Sequence, residues 1–240
     1  MFMRSILVAA TAVALLPMTA EASGTSFFAD AAVSTALIDR GEHLALDVLE
    51  ATIGAEADVR GVTVYGAVYR ILPFGNAQGE FDDEADYTLG VAWEGAGYSA
   101  DLSANWLTYP GAGSEASLEL AATVALDAAF APTLAGFYDA DLQDWGLEVS
   151  AGPEWEVGDW TLYTLGRAGF VQLGDGSPSR SYGGVEIGAA RALSELATLG
   201  LYARGEVADE DSFVRKTSGG TVTEMSNSGF SAGIVLSIAH

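Results

Sequence analysis

Apolar and polar side chains alternate along the chain with a period of two residues from residue 25 onward. Such alternation is typical of β-strands with one apolar face, and almost no segment shows the 3.6-residue period of a helix. The alternating segments are about ten residues long, and each ends at Gly, Asp, Asn or Pro. The pattern predicts about twelve strands, at residues 26–38, 45–58, 62–72, 85–95, 97–109, 115–126, 132–139, 145–156, 160–173, 181–192, 198–208 and 227–239.

The predicted connections alternate in length. Short turns lie at residues 60–61, 95–97, 127–131, 158–159 and 194–197, and longer polar loops at residues 73–84, 174–180 and 208–226. Short turns at one end and long loops at the other are typical of outer-membrane barrels, in which the short turns are periplasmic. We therefore predict an all-β fold, an antiparallel up-and-down transmembrane β-barrel of about 12 strands, with both termini on the periplasmic side.

The first 22 residues have the pattern of a secretory signal peptide. Arg4 precedes an apolar core at residues 6–16, and the small-x-small sequence Ala20-Glu21-Ala22 follows. An apolar core of this length is too short to span a bilayer. We expect cleavage after residue 22, export, and a single barrel domain at residues 23–240 in the bacterial outer membrane.

The chain is strongly acidic, with a formal net charge of -23, and it contains no cysteine. The charge excludes a nucleic-acid partner, because phosphate would be repelled, and it favours cations. The absence of cysteine excludes disulfides and thiolate metal sites. Expected partners are therefore outer-membrane lipid and lipopolysaccharide, small solutes or cations, and the barrel assembly machinery.

The register of the clearest strands predicts which side chains meet lipid. In residues 117–126, Leu118 and Leu120 lie on the apolar face and Glu119 on the opposite face. A charge on the lipid face costs about 2–4 kcal/mol at the bilayer midplane, so the charged faces should point inward. We expect the pore to be lined by Glu50, Glu56, Asp101, Asn105, Glu119, Glu148, Arg167, Glu186, Arg204 and Glu206.

The register of one predicted strand is ambiguous. In residues 62–72, Arg70 faces inward if Tyr65 and Tyr69 face lipid, and the opposite register requires Arg70 to lie at the rim. Aromatic residues at segment ends are expected to form the two interfacial girdles: Trp93, Tyr98, Trp106, Trp145, Trp155 and Trp160.

Several short stretches resemble the TorF family of porin-like outer-membrane proteins. They are the first strand running into Arg40-Gly41, the "WLTYPG" stretch from Trp106, the strand with Glu119, and the "FYDADL" stretch from Phe137. The resemblance implies a small proteobacterial barrel without a catalytic site.

We expect no enzyme activity and no cofactor. Barrel phospholipases also have about twelve strands and use a Ser-His pair, for which His43 is the only candidate base, and no motif specifies its serine. The acidic runs at residues 82–84 and 209–211 are expected to be solvated loop tips, with bound Ca²⁺ or bridging to lipopolysaccharide as the alternative.

Two functions remain beside the enzyme. The first is an acid-lined, cation-preferring channel for passive diffusion of small solutes, and the second is a non-conducting structural or adhesive barrel. A barrel of about twelve strands is intermediate in size between packed small barrels and open porins. The number of strands therefore does not show whether the interior is open. Small residues at interior positions favour an open path: Gly54, Gly90, Ser103, Ala121, Gly152 and Gly188.

Overall fold

The computed structural model describes residues 24–74, 83–110 and 115–239, so the predicted signal peptide lies outside the described residues. Within these ranges no helix is long and apolar enough to cross a membrane. The described chain forms the strands β1 Thr25–Asp39, β2 Glu42–Val59, β3 Val62–Pro73, β4 Ala85–Gly95, β5 Tyr98–Thr108, β6 Ala116–Leu126, β7 Thr133–Asp139, β8 Trp145–Ala151, β9 Glu154–Val157, β10 Trp160–Gln172, β11 Arg180–Ala192, β12 Ala197–Ala208, β13 Phe213–Ser218, β14 Thr221–Ser226 and β15 Ser228–Ala239.

Twelve strand positions close into a barrel. Neighbouring strands pair antiparallel around the sheet, and β1 pairs with β15, so that neither end strand has a free edge. Strands β8 and β9 fill one position, because both pair with β10 and are separated only by Gly152 and Pro153. Closure satisfies the backbone groups that lipid cannot hydrogen-bond. The predicted twelve-strand barrel is confirmed.

Strands β13 and β14 form a separate hairpin, which pairs with no barrel strand. The hairpin lies within residues 208–226, which the sequence predicted as a loop. Its turn is Gly219-Gly220, and both glycines have positive φ, 58° and 84°. This conformation matches the twist of a two-residue hairpin.

The exterior of the barrel is apolar. Large aliphatic side chains on the predicted lipid faces are exposed, as shown by Leu89 at 66%, Leu120 at 49% and Ile234 at 54%. Aromatic side chains at strand ends are exposed as well, including Trp106 and Trp155. An apolar exterior around a closed antiparallel barrel is the arrangement of a protein that spans the bacterial outer membrane.

The structure decides the register of β3. Tyr65 is buried at 5% exposure and Tyr69 also points to the interior, whereas Val64 and Val68 are exposed. Arg70 shares the outer face with these valines and pairs with Asp83 at 2.5 Å, near the end of the strand. The charged group therefore lies at the rim beside a carboxylate, where it remains hydrated.

The β1–β2 hairpin departs from the regular barrel wall. The register shifts between Leu37 and Ile38 in β1, and Asp47 in β2 has a positive φ of 47°. Both irregularities bend the hairpin, since a bulge increases the local twist. Beyond the bend, apolar side chains pack against the wall strand β3, and this cluster consists of Leu37, Ala45, Val48 and Ile71.

Candidate functional site in the barrel interior

The tip of the β1–β2 hairpin, residues 39–42, is a tight turn. Arg40 and Gly41 both have positive φ, 49° and 81°. Gly41 also lies so close to β11 that a Cβ there would stand 2.6 Å from Cβ of Tyr182. A side chain at Gly41 would be excluded by both the backbone conformation and this contact. The hairpin tip is therefore seated against the inner face of the barrel.

Arg40 reaches the opposite wall. Its Nη2 lies 2.7 Å from a carboxylate oxygen of Glu119 on β6, and its guanidinium lies 3.4 Å from the ring centroid of Phe137 on β7. Strand β7 is six positions from β1 in the twelve-position ring, which is halfway around. The hairpin tip thus crosses the barrel interior, which we call the bore.

The opposite side of the hairpin tip is held by β11 and by residues 208–226, which we call the outer loop. Arg180 donates from Nε to the carbonyl oxygen of Arg40 at 3.0 Å, and its two terminal nitrogens donate to both carboxylate oxygens of Glu42 at 2.8 and 2.6 Å. Ser212 donates from Oγ to the carbonyl oxygen of Gly41 at 2.5 Å. A bidentate guanidinium–carboxylate pair fixes direction as well as distance, so the tip is clamped on this side.

An apolar cluster lies beside the clamp. Phe213, at the start of β13, is fully buried among Ile38, Val171, Tyr182 and Ala208. These residues lie near the outer ends of β1, β10, β11 and β12. The start of β13 is therefore anchored inside the barrel, while most of the β13–β14 hairpin is exposed.

A cluster of ionic side chains lies on one side of the bore, on β8, β10, β11 and β12. Arg167 lies 3.3 Å from Glu186, 3.7 Å from Glu206 and 3.9 Å from Glu148, measured between guanidinium nitrogens and carboxylate oxygens. Arg204 pairs with Glu206 from the same strand. Arg167, Glu186 and Glu206 are each at most 6% exposed. Buried charges of this kind persist only when they are paired.

Tyrosine hydroxyls hold several interior carboxylates. The donors and acceptors are Tyr65 to Asp101 at 3.0 Å, Tyr69 to Glu50 at 2.7 Å, Tyr163 to Glu186 at 2.9 Å and Tyr182 to Glu148 at 2.9 Å. Three of these rings lie across a glycine of a neighbouring strand, namely Tyr65 over Gly90, Tyr163 over Gly188 and Tyr182 over Gly169. The glycines leave room for the rings to lie flat against the wall.

These rings contradict the expectation that small interior residues leave open space in the barrel. Gly54, Gly90 and Gly188 were expected to leave open space, but rings of Phe28, Tyr65 and Tyr163 occupy that space. The space beside a glycine in a strand is taken by the large side chain of its neighbour, which the single-strand pattern does not record.

All ten predicted pore-lining residues lie on the inner face. Glu148, Arg167, Glu186, Arg204 and Glu206 form the ionic cluster described above. The others are separate: Glu50 and Asp101 accept from tyrosines, Glu56 accepts from Ser26 at 3.1 Å, and Asn105 donates to Glu119 at 3.4 Å. Whether they line a conducting path stays a prediction.

The sequence did not single out Arg40 and Arg180 as interior residues. Arg40 lies in a two-residue turn and Arg180 at the end of a polar loop, and both positions are usually solvated. The alternating pattern ends before each of them, so it carries no signal about their direction. Glu84, expected at a solvated loop tip, is buried at 9% exposure.

Four interior carboxylate oxygens have no protein hydrogen-bond partner among the described residues. They belong to Asp30, Asp86, Asp101 and Glu206. A buried carboxylate oxygen without a protein donor requires water or a cation. In the same part of the chain, no group of three or more side chains is arranged to hold a metal ion.

His43, the candidate base, is engaged by the outer loop. Its Nδ1 accepts a hydrogen bond from the backbone N–H of Val214 at 3.0 Å, and its ring stacks edge-on against Phe213. Its Nε2 has no hydrogen-bond partner among the residues that the structure covers. The geometry therefore shows no Ser-His pair within those residues.

No protein-family model matches the sequence, and no curated protein matches it. Among solved structures, the chain is similar to an outer membrane channel from Pseudomonas putida F1, at 8% identity and a TM-score of 0.48, covering 90% of this chain and 94% of that one. It is also similar to OmpT, an outer membrane protein of Vibrio cholerae, at 10% identity and a TM-score of 0.37, covering 93% and 100%. Both TM-scores lie below 0.5, so these likenesses carry no argument about function.

Proposed function

We propose that the protein is a narrow outer-membrane channel for passive diffusion of small solutes, with a preference for cations. The observation that carries this proposal is the excess of carboxylates over guanidinium groups on the inner face. The interior acids are Asp30, Glu50, Glu56, Asp86, Asp101, Glu119, Glu148, Glu186 and Glu206, and the interior bases are Arg40, Arg167, Arg180 and Arg204.

An acidic wall in a low-dielectric barrel attracts cations and repels anions. The carboxylate oxygens of Asp101 and Asp30 that lack protein donors support this proposal, because they leave hydrogen-bonding capacity for water or a passing cation. The ionic cluster and the hairpin tip occupy part of the bore, so we expect small conductance steps.

The experiment is single-channel recording in planar bilayers, with the reversal potential measured across a tenfold KCl gradient. We expect a cation-selective reversal potential that weakens at high salt, because the Debye length falls from about 10 Å at 0.1 M to about 3 Å at 1 M. An anion-selective channel would contradict the proposed selectivity.

A pair of substitutions tests the acidic wall. Glu50→Gln with Asp101→Asn removes two interior charges that tyrosine hydroxyls hold and no arginine pairs. We expect reduced cation preference in a barrel that still folds. The matched control is Asp127→Asn with Glu195→Gln, which removes two exposed charges at the periplasmic turns.

A second function is a non-conducting structural barrel. The near-complete burial of Arg167 and Glu186 favours it, because these side chains expose almost no surface to water in the bore. Absence of conductance steps from correctly folded protein would support this alternative. We expect no enzyme activity, and release of fatty acid from phospholipid in a Ca²⁺-dependent assay would contradict that expectation.

Membership of the TorF family is part of the proposal. The stretches around Arg40, Trp106, Glu119 and Phe137 support it, and in the structure Arg40 contacts both Glu119 and Phe137. An alignment of homologues tests it: members of that family should carry an arginine, an acid and an aromatic residue at these three contacting positions.

A further inference from the structure

The hairpin tip is held from two sides of the bore. On one side, Arg180 and Ser212 bind its backbone and Glu42. On the other side, the contacts with the β6–β7 wall are those of the Arg40 side chain with Glu119 and Phe137. The two attachments are chemically independent, since one uses the backbone of the tip and the other a single guanidinium.

The contact with the β6–β7 wall lies near the outer end of that wall, because Glu119 pairs with Asp139, the last residue of β7. Glu119 is the fourth residue of β6 counted from the outer end, Ala116. At about 3.3 Å per residue, the contact lies roughly 10 Å along the strand from that end. The tip therefore narrows the outer part of the bore.

Arg40 is positive among acids. It lies 3.4 Å from Asp39 and 2.7 Å from Glu119, and its side chain retains 23% exposure while that of Glu119 retains 4%. A cation that passes this level meets a positive group that offsets the neighbouring carboxylates.

We propose that Arg40 determines both the width and the charge of the bore at the level of the hairpin tip. The inference rests on the channel function proposed above and names the residue that limits it. Loss of the guanidinium releases the tip from β6 and β7, while Arg180 and Ser212 keep it attached to the other wall. The gap beside Glu119 and Phe137 then widens and becomes more negative.

The first test compares Arg40→Gln with the original protein in planar bilayers. We expect conductance to rise about twofold or more and cation preference to increase, because both the obstruction and its positive charge are reduced. Arg40→Lys, which keeps the charge but not the planar contact with Phe137, should raise conductance without the full gain in cation preference. The matched control is Arg70→Gln, which removes a guanidinium that pairs at the outer rim and does not enter the bore. Its conductance and selectivity should stay unchanged.

The second test fixes the tip reversibly. The chain has no cysteine, so a double variant with Arg40→Cys and Glu119→Cys carries only the two introduced thiols. A short bis-thiosulfonate reagent should link them, as mass spectrometry of the digested protein would show. The linked protein should have low conductance, and reduction should raise it to the level of Arg40→Gln. Each single-cysteine variant serves as a control that cannot be bridged.

The outcomes separate the two proposals. If the original protein conducts and neither Arg40→Gln nor cross-linking changes conductance, the role of Arg40 is wrong and the channel function stands. If the original protein is silent and the reduced double variant conducts, Arg40 blocks the bore and the protein is not an open diffusion channel. If every form is silent although folded, both proposals are wrong.

Discussion

Tyr65 on β3 lies across Gly90 on β4, and its hydroxyl donates to the carboxylate of Asp101 on β5 at 3.0 Å. One side chain thus connects three consecutive strands on the inner face. The glycine makes the contact possible, because a Cβ at Gly90 would stand 2.3 Å from Cζ of the ring. The interior acid, the ring and the glycine form one structural unit.

The first prediction follows from this unit. Gly90→Ala should lower the free energy of unfolding by about 1–3 kcal/mol, because the ring must move and the hydrogen bond to Asp101 must lengthen. The measurement is urea unfolding in lipid vesicles, followed by the shift in gel mobility between folded and unfolded barrel.

The matched control is Gly66→Ala. Gly66 lies in the adjacent strand on the outer face, where the nearest heavy atom to an added Cβ is a backbone oxygen at 3.7 Å. Its stability should be close to that of the original protein. Equal losses in the two variants would show that strand flexibility, and not the fit of Tyr65, explains the effect.

A second prediction concerns the two faces of β6. Leu120 is 49% exposed on the outer face, whereas Thr123 points inward opposite Asp101. Leu120→Arg should cost about 2–4 kcal/mol in a bilayer, while Thr123→Arg gains a carboxylate neighbour and should fold. The measurement is the fraction of each variant that folds into vesicles, read from unboiled gels. Equal folding of both variants would contradict the register.

The third prediction concerns the ionic cluster. Arg167→Met leaves Glu186, Glu206 and Glu148 without their shared partner and should destabilise the barrel by about 3–5 kcal/mol. Arg191→Met provides a control at the periplasmic end, where the arginine is 45% exposed and its partner Asp159 is 80% exposed. Such a surface pair contributes at most about 1 kcal/mol. The two variants are compared by their unfolding midpoints in urea. A loss of stability for Arg191→Met as large as that for Arg167→Met would contradict the role of burial.

The fourth prediction concerns pH at the outer mouth. Burial, together with the neighbouring carboxylate of Asp86, raises the pKa of Glu84 from 4.5 to about 9. Between these values the folded protein keeps a proton that the unfolded chain releases, so stability falls as pH rises through this window. Glu84→Gln removes the part of this dependence that Glu84 contributes, while the buried carboxyl group of Asp86 remains.

The measurement is thermal unfolding in detergent at pH 5, 7 and 9, values chosen to cover roughly the window between the two pKa values. We expect the difference in melting temperature between Glu84→Gln and the original protein to grow in favour of the variant as pH rises. A constant difference across this range would mean that Glu84 does not carry a proton in the folded state.

The alternation of apolar and polar residues determined the strands and most of their faces. In β6 and β12 the prediction was correct because charged side chains occur on only one face, and lipid contact excludes the other register. Closure followed as well, because the apolar β15 needed a partner for its edge and β1 offered one. These are local properties, which a period of two residues records directly.

Only the tertiary structure decided the rest. Strand β3 carries both Tyr65 and Arg70 on opposite faces, so its own pattern fits either register, and the acceptors Asp101 and Glu50 on other strands settle it. The path of Arg40 across the bore depends on which strands lie opposite each other after closure. The chain places β1 and β6 far apart in sequence, and their contact depends on the curvature and stagger of the whole ring, which no stretch of alternating residues specifies.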